Sequence, residues 1–189
     1  SPAMLQRVIA EVLQPTVDGL SAAGTPYVGV LYAGLMIQGD DFQVLEFNCR
    51  FGDPEAQVIL PLLETDLLSV FEACVAQELD QIALRWTGKS AACVVLASGG
   101  YPGDYERGLV IEGLESVTQG DDLIVFHAGT RQDGKRLITD GGRVLGVTGI
   151  ADDLRGALSG AYAAADKIHW PGVFYRHDIG ARGLAQEDR

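Results

Sequence analysis

Residues 45–55, Leu-Glu-Phe-Asn-Cys-Arg-Phe-Gly-Asp-Pro-Glu, decide the fold of this chain. Their first part alternates apolar and polar side chains, which is the pattern of a β-strand with one face toward a core. The apolar positions, which we expect to face the core, are Leu45, Phe47 and Cys49. The polar positions, which we expect to share the opposite face, are Glu46, Asn48 and Arg50.

The polar face of this strand has the chemistry of a site for a hard cation and the phosphate that it carries. Residues two apart on a strand have Cβ atoms ~6.5–7 Å apart, so the Glu46 carboxylate and the Asn48 amide oxygen can reach one ion. Mg²⁺ takes one or two protein oxygens together with phosphate oxygens, and Arg50 offers a planar fork to phosphate or carboxylate. The alternative is a solvated strand face with mixed charges.

The preceding sequence places this strand in a hairpin. Apolar spacing predicts a helix over residues 3–22, which Pro15 should kink or split. Residues 27–38 and 42–49 are predicted strands, and the Gly-Asp pair at 39–40 is a two-residue turn between them.

Two capped helices are predicted after the strand. Asp53 is the expected N-cap of the first, with Pro54 in its first turn and Glu55 beside the positive end of its dipole. Asp66 is expected to cap a second helix that runs through about Gln77.

The second half of the chain differs from the first in its pattern of short predicted strands separated by turn residues. We therefore predict a domain boundary that gives domains 1–86 and 87–189. Residues 78–89 are the expected connector. Short strands separated by turn residues, with one late helix, predict a small mixed α+β domain and an α+β chain. Its predicted elements are strands over 91–97, 109–111, 123–127, 136–139 and 144–150, a loop over 99–108, a helix from 152 to about 168 capped by Asp152 or Asp153, and an extended tail over 173–184.

The overall composition excludes several classes of protein. A net charge of −12 argues against nucleic acid or an anionic membrane as a partner, and the apolar runs are shorter than the ~20 residues of a transmembrane helix. Residues 1–3 lead into a helix without a signal-peptide pattern. Cys49, Cys74 and Cys93 are widely spaced in apolar surroundings, so we expect buried free thiols in a reducing compartment, the cytoplasm.

The stretch at residues 46–55 also resembles the signature of the phosphoribosylamine–glycine ligase family, which belongs to the ATP-grasp superfamily. Further stretches fall in the order and spacing of that family, and they cover nearly all of the chain. These are Gly29–Met36, Gly99–Tyr105, Phe126–Thr130, Gly141–Leu145 and Tyr175–Gly180.

The resemblance implies the C-terminal half of an ATP-grasp domain followed by a small mixed α+β domain. It implies an enzyme that uses ATP and Mg²⁺ or Mn²⁺ to join glycine to 5-phosphoribosylamine through a glycyl phosphate, in de novo purine synthesis. Glu46 and Asn48 are then the metal ligands, and Arg50 is the catalytic group that reaches the substrate or the transferred phosphate.

Substrate contacts are expected on both sides of the predicted boundary. Each candidate also has a non-functional interpretation. Asp53 and Glu55 could simply cap a helix, and the glycine loop at 99–105 could be a plain turn. His127 could be structural, and the arginines could be surface charge. The candidate substrate-binding residues are Asp53, Glu55, Gly100, Tyr101, Pro102, Gly103, His127, Arg143 and Arg176.

The resemblance begins about halfway along the usual length of the family. The glycine-rich phosphate loop of an ATP-grasp domain has no counterpart in residues 1–26. We therefore expect a C-terminal fragment that lacks ligase activity by itself and has the N-terminal half of the same enzyme as its partner. Two alternatives stay open: a non-catalytic ATP-grasp-derived module that assembles with a separate N-terminal chain, and another ATP-grasp ligase.

Overall fold

The computed structural model describes residues 1–187 and shows mixed helices and strands in two compact units. The first unit contains residues 1–53 and 65–84, and the second contains residues 54–64 and everything from residue 85 onward. The units differ from the predicted domains in two segments, since residues 54–64 and residues 85–86 belong to the second unit. The boundary after residue 86 stays a prediction.

The first unit opens with a helix that is interrupted just before Pro15. Because proline has no N–H, the usual bond to the carbonyl four residues earlier cannot form, and the helix widens into a π-turn in which the Gln14 N–H bonds to the Ile9 carbonyl. The predicted interruption is confirmed. The three parts of the helix are α1 (Pro2–Val8), the π-turn (Ile9–Leu13) and α2 (Gln14–Ala22).

A two-stranded antiparallel hairpin follows, with β1 at Tyr32–Gln38 and β2 at Asp41–Asn48. Gly39 has a φ of +62° at the first turn position, as the predicted Gly-X turn requires. Arg7 of α1 fixes the tip, because its Nη1 donates to the Asp40 carbonyl at 2.6 Å.

The apolar face of β2 is exposed rather than buried, which corrects one expectation. Leu45 is 63% exposed and Phe47 is 44% exposed, and Cys49 is exposed as well. Alternation places side chains on a common face, but a face is buried only where another element covers it. Of the three cysteines only Cys93 is buried, and Cys74 is partly exposed.

The segment after β2 contains a short helix, α3, at Ala56–Ile59. Its N-cap position is held by Glu55 and has no side-chain cap, so the predicted capping by Asp53 is wrong by two residues. The next helix, α4 (Leu67–Ala76), begins as predicted at Asp66, whose carboxylate accepts 2.8 Å hydrogen bonds from the Ser69 N–H and Oγ. These bonds lower the pKa of Asp66.

The second unit is built on a three-stranded antiparallel sheet in the order β3-β7-β4, with a separate β5–β6 hairpin. Four of its five predicted strands are confirmed to within one residue at each end. Its remaining helices and strands are β3 (Ser90–Ala97), β4 (Leu123–His127), β5 (Thr130–Asp133), β6 (Arg136–Thr139), β7 (Arg143–Ala151), α5 (Leu154–Ala165) and α6 (Ala181–Glu187).

The core of this unit lies between the sheet and α5. Leu96 and Leu145 are fully buried on the paired strands β3 and β7, and the small side chains of Ala157 and Ala161 let α5 lie close to the sheet. Asp153 caps α5 as one of the two predicted caps, since it accepts a 2.6 Å bond from the Gly156 N–H.

Two predictions for this unit are wrong. The strand expected over 109–111 is only an isolated bridge from Val110 to Ile138. The tail over 173–184, which was expected to be extended, becomes helical at Ala181. Gly180 turns the chain at a φ of +77°, and Leu184 then packs against the cluster that contains Ala157 and Leu158 of α5.

Among residues 1–187, none of the helices combines the length and the hydrophobicity that crossing a bilayer requires.

Candidate functional site

The two predicted metal ligands lie side by side on β2. The Asn48 Nδ2 donates to the Glu46 Oε1 at 3.0 Å, so both side chains point to the same side of the hairpin. Glu46 is exposed and Asn48 is half-buried. The alternation expected for this pair is therefore confirmed.

A glycine on the partner strand makes room for the pair. Gly34 is opposite Glu46 and Tyr32 is opposite Asn48 in the hairpin register, with a bulge just beyond Gly34. A Cβ at position 34 would lie 3.1 Å from the Glu46 Cγ, which is tighter than ordinary packing. The glycine thus lets the Glu46 side chain lie across β1.

The donor types of this pair fit a hard divalent cation. Mg²⁺ uses one or two protein oxygens and completes its shell with water and phosphate oxygens. The Glu46 Oε2 and the Asn48 Oδ1 have no hydrogen-bond partner among residues 1–187. Asn48 turns its nitrogen toward Glu46, so binding of one ion by both side chains requires this hydrogen bond to open.

A metal held by protein side chains alone is not supported elsewhere in the described chain. Within residues 1–187, histidine, cysteine and acidic side chains form no group of three suited to a metal ion. Any ion at the Glu46–Asn48 pair would therefore take most of its ligands from water or from a bound phosphate.

Arg50 lies beyond the end of β2, and within residues 1–187 no hydrogen bond or ion pair joins it to this pair. Its Nη1 donates to the Phe51 carbonyl at 3.0 Å, and its side chain is exposed. Because the strand ends at Asn48, the period-two argument that placed Arg50 on the same face does not reach this residue.

The two acidic candidates lie in the turn that precedes α3. Asp53 is in this turn, and the Glu55 carbonyl accepts bonds from the Val58 and Ile59 N–H groups at 3.0 and 3.1 Å. The backbone of Glu55 thus starts the helix, and its partly exposed carboxylate makes no cap. A substrate contact by either carboxylate stays a prediction.

In the second unit, the predicted glycine-rich turn packs against a second pair of glycines. The Tyr101 ring lies on Gly142, where a Cβ would be 2.2 Å from the Tyr101 Cδ2. Gly100 has a φ of +95°, and a Cβ there would be 2.0 Å from the Asp104 carbonyl oxygen. Pro102 and Gly103 form the exposed tip of this turn.

The histidine candidate belongs to a neighbouring turn. The His127 Nδ1 and the Thr130 Oγ1 are 3.1 Å apart, and the Gly129 N–H donates to the Arg143 carbonyl at 2.9 Å. Gly129 also meets Gly141 so closely that a Cβ on Gly129 would be 2.6 Å from the Gly141 Cα. The structure therefore brings the turns that carry Tyr101, His127 and Arg143 together.

Arg176 makes its described contacts with residues outside these turns. Its guanidinium makes two hydrogen bonds to the Asp178 carboxylate, at 2.9 and 2.7 Å, and its carbonyl accepts a 2.8 Å bond from the Tyr162 hydroxyl. The pairing lowers the pKa of Asp178 and raises that of Arg176. Any substrate contact by Arg176 competes with Asp178.

Two family models match the chain in sequence order. Residues 1–56 match the phosphoribosylglycinamide synthetase ATP-grasp (A) domain, and residues 91–182 match the phosphoribosylglycinamide synthetase C domain. The first match contains Glu46 and Asn48, and the second contains the turns around Tyr101 and Arg143. The chain belongs to the phosphoribosylglycinamide synthetase family. The resemblance seen at residues 46–55 is confirmed.

Relatives in this family are named phosphoribosylamine–glycine ligase. The one from Synechocystis sp. is 48% identical over 185 residues, which are 97% of this chain and 44% of the relative. The one from Nostoc sp. is 50% identical over 96% of this chain and 43% of its own length. The crystal structure of the Thermotoga maritima ligase superimposes with a TM-score of 0.81 at 33% identity, over 94% of this chain and 44% of that one. The chain thus spans less than half the length of the relatives that it matches.

Sequence reasoning missed two residues whose contacts lie beside the candidate metal ligands or the end of β2. Gly34 lies in one of the resembling stretches, but its role beside Glu46 depends on strand register. Tyr27 is another: its hydroxyl donates to the Val30 carbonyl at 2.7 Å, and a contact with the Cys49 thiol raises the pKa of Tyr27. In the sequence, Tyr27 appeared only as the first residue of the predicted strand over 27–38.

Proposed function

We propose that this chain carries the metal-binding hairpin and the C-terminal substrate-binding domain of an ATP-dependent ligase that joins glycine to 5-phosphoribosylamine. The products are glycinamide ribonucleotide, ADP and phosphate, in de novo purine synthesis. The observation that carries the proposal is the contact between Glu46 and Asn48 on one face of β2, with an Nδ2–Oε1 distance of 3.0 Å. Family membership supplies the reaction class.

In the first unit, Glu46 and Asn48 would hold Mg²⁺ or Mn²⁺. When bound, such an ion neutralises charge on the ATP phosphates during transfer to the glycine carboxylate. Arg50 would bind the transferred phosphate, because its present partner is the neutral Phe51 carbonyl at 3.0 Å and a charged acceptor is bound more strongly.

The second unit would bind 5-phosphoribosylamine. The Gly100 and Gly103 N–H groups make no hydrogen bond within residues 1–187, so they can donate to a ligand together with His127 and Arg143. Arg176 would contribute only after release from Asp178, and Asp53 and Glu55 are the acidic contacts proposed for the turn before α3.

The chemistry proceeds in two steps that need positioning more than covalent help from the protein. An oxygen of the glycine carboxylate attacks the γ-phosphorus of ATP, and ADP leaves. The amine of phosphoribosylamine then attacks the carbonyl carbon of the glycyl phosphate, and phosphate leaves as the C–N bond forms. The residues above would hold the reacting groups in place.

We expect the 189 residues alone to release no phosphate from ATP in the presence of Mg²⁺, glycine and fresh phosphoribosylamine. Tight binding of a nucleotide requires a site that encloses most of its surface, and the Glu46–Asn48 pair lies on the exposed face of a two-stranded hairpin. Steady release above the blank would contradict this expectation.

A chimeric ligase tests the proposed function directly. In the Synechocystis relative, the 185 matched residues would be replaced by those of this chain, and ADP release would be followed with glycine and phosphoribosylamine. Glu46→Gln and Asn48→Ala should each lower kcat by about 10²-fold, because several kcal/mol of charge stabilisation are lost.

The matched control is Asp41→Asn, which removes a carboxylate from the start of the same strand and should change kcat by no more than about twofold. An inactive parent chimera, or equal effects of Glu46→Gln and Asp41→Asn, would refute the proposal. Activity with another carboxylic acid in place of glycine would favour a different ATP-grasp ligase.

A further inference from the structure

Ser98 directly follows strand β3, just before the glycine-rich turn, and it is fully buried. All three of its hydrogen-bonding groups are used. Its N–H donates to the Gly142 carbonyl at 2.8 Å, its Oγ donates to the Gly141 carbonyl at 2.9 Å, and its own carbonyl accepts from the Tyr101 N–H at 3.1 Å. One small residue therefore joins two turns that lie more than forty positions apart in sequence.

The two turns have little freedom to move separately once Ser98 holds them. The Tyr101 ring fills the space where Gly142 would carry a Cβ, and Gly141 is pressed against Gly129. Arg143 is the next residue after Gly142, and its carbonyl accepts a hydrogen bond from the Gly129 N–H at 2.9 Å. A shift of the carbonyls at 141–142 would therefore be passed on to both neighbouring turns.

We propose that Ser98 is a positioning residue that locks the turns of Tyr101 and Arg143 into a single phosphoribosylamine-binding arrangement. The step to phosphoribosylamine rests on the function proposed above, whereas the coupling of the turns rests only on the contacts of Ser98. A buried hydroxyl whose removal leaves the Gly141 carbonyl without its partner is expected to loosen that carbonyl.

A second buried hydroxyl in the same unit provides a matched control. Thr148 on β7 is also fully buried, and its Oγ1 donates to the Gln57 carbonyl at 3.1 Å. Thr148→Val removes one buried hydrogen bond, as Ser98→Ala does, but away from both turns. Ser98→Thr keeps the hydroxyl and tests whether that group is the cause.

Hydrogen exchange on the 189-residue chain tests the coupling. In Ser98→Ala, the amides of Tyr101 and Gly129 should exchange about tenfold faster than in the unmodified chain. In Thr148→Val and Ser98→Thr they should stay within about twofold. Equal acceleration in Ser98→Ala and Thr148→Val, or in Ser98→Ala and Ser98→Thr, would overturn the inference. If Ser98→Thr does not fold, the comparison with Thr148→Val still decides.

Kinetics of the chimeric ligase test the link to the substrate. Ser98→Ala should raise the KM for phosphoribosylamine about tenfold and leave kcat and the KM values for ATP and glycine within about twofold. A uniform loss for all three substrates would indicate a merely structural role and would overturn the link. If the parent chimera is inactive, the proposed function fails, and the exchange experiment still decides whether Ser98 couples the turns.

Discussion

Replacement of Gly149 by alanine should destabilise the second unit because this glycine lies where α5 meets β7. A Cβ at position 149 would be 2.1 Å from the Ala157 carbonyl oxygen and 2.8 Å from the Ala161 nitrogen. Both atoms belong to the backbone of α5, so no side-chain rotation relieves the clash. The helix must move away from the sheet, and the packing of the buried alanines on that face loosens with it.

The free energy of unfolding should fall by about 3 kcal/mol, which is near the upper end of the range for overpacking. The loss is large because the new Cβ on the β7 backbone meets backbone atoms of α5, which cannot rotate away. The matched control is Gly160→Ala on the exposed face of the same helix. A Cβ at Gly160 meets nothing within 4 Å, so alanine there should raise the free energy of unfolding by ~0.5–1 kcal/mol through helix propensity.

Urea unfolding followed by tryptophan fluorescence measures both changes. The two tryptophans of the chain, Trp86 and Trp170, lie in the second unit, and Trp170 is only 5% exposed, so the signal reports the unit that carries both substitutions. The reasoning is refuted if Gly149→Ala is as stable as the unmodified chain, or if both alanine variants shift stability in the same direction.

Three further outcomes follow from contacts in the same unit. A hydrogen bond to Asp166 raises the pKa of Tyr175 to about 12, so an ultraviolet titration of Asp166→Asn should show this tyrosine ionising nearer the ordinary pKa of about 10. The pKa of Tyr175 is higher in the folded than in the unfolded chain, so the stability that this hydrogen bond contributes is present below about pH 10 and is lost as the pH rises through about 12. An unchanged titration in Asp166→Asn would count against the contact. Leu145→Ala, at a fully buried position, should lower the free energy of unfolding by ~2–5 kcal/mol in urea, and a loss below about 1 kcal/mol would mean that the core is looser than described. Asp153→Ala should cost about 1 kcal/mol by removing the cap of α5, while Asp153→Asn should retain most of it; equal losses would argue against capping.

The geometry of the Glu46–Asn48 pair could be predicted from the sequence because it is local. Glu46 and Asn48 are two residues apart on one strand, and the pleat alone puts them on one face. The same argument does not reach Arg50, which lies beyond the end of β2, and the burial predicted for Leu45 is wrong, because this residue is 63% exposed. Strand periodicity determines direction, whereas burial depends on which other elements cover the face.

The candidate substrate turns of the second unit could be predicted only as a set of glycine-rich stretches. Its geometry depends on contacts between positions far apart in sequence, such as Gly129 with Gly141 and Tyr101 with Gly142. Neither composition nor periodicity encodes these pairings, because each glycine is compatible with an isolated turn. The role proposed for Ser98 was not predicted for the same reason. A serine just after a strand has no local sequence feature that distinguishes it from an ordinary turn residue.

The division of the chain into compact units separates β2 from the segment that follows it. Residues 54–64 come directly after β2 and its turn, yet they pack with the second unit, where the Gln57 carbonyl accepts a hydrogen bond from the Thr148 hydroxyl. The same strand, β7, begins at Arg143 beside the substrate turns. Strand β7 thus contacts both the segment that follows the β1–β2 hairpin and the turns proposed for phosphoribosylamine, and this arrangement lies entirely within the second unit.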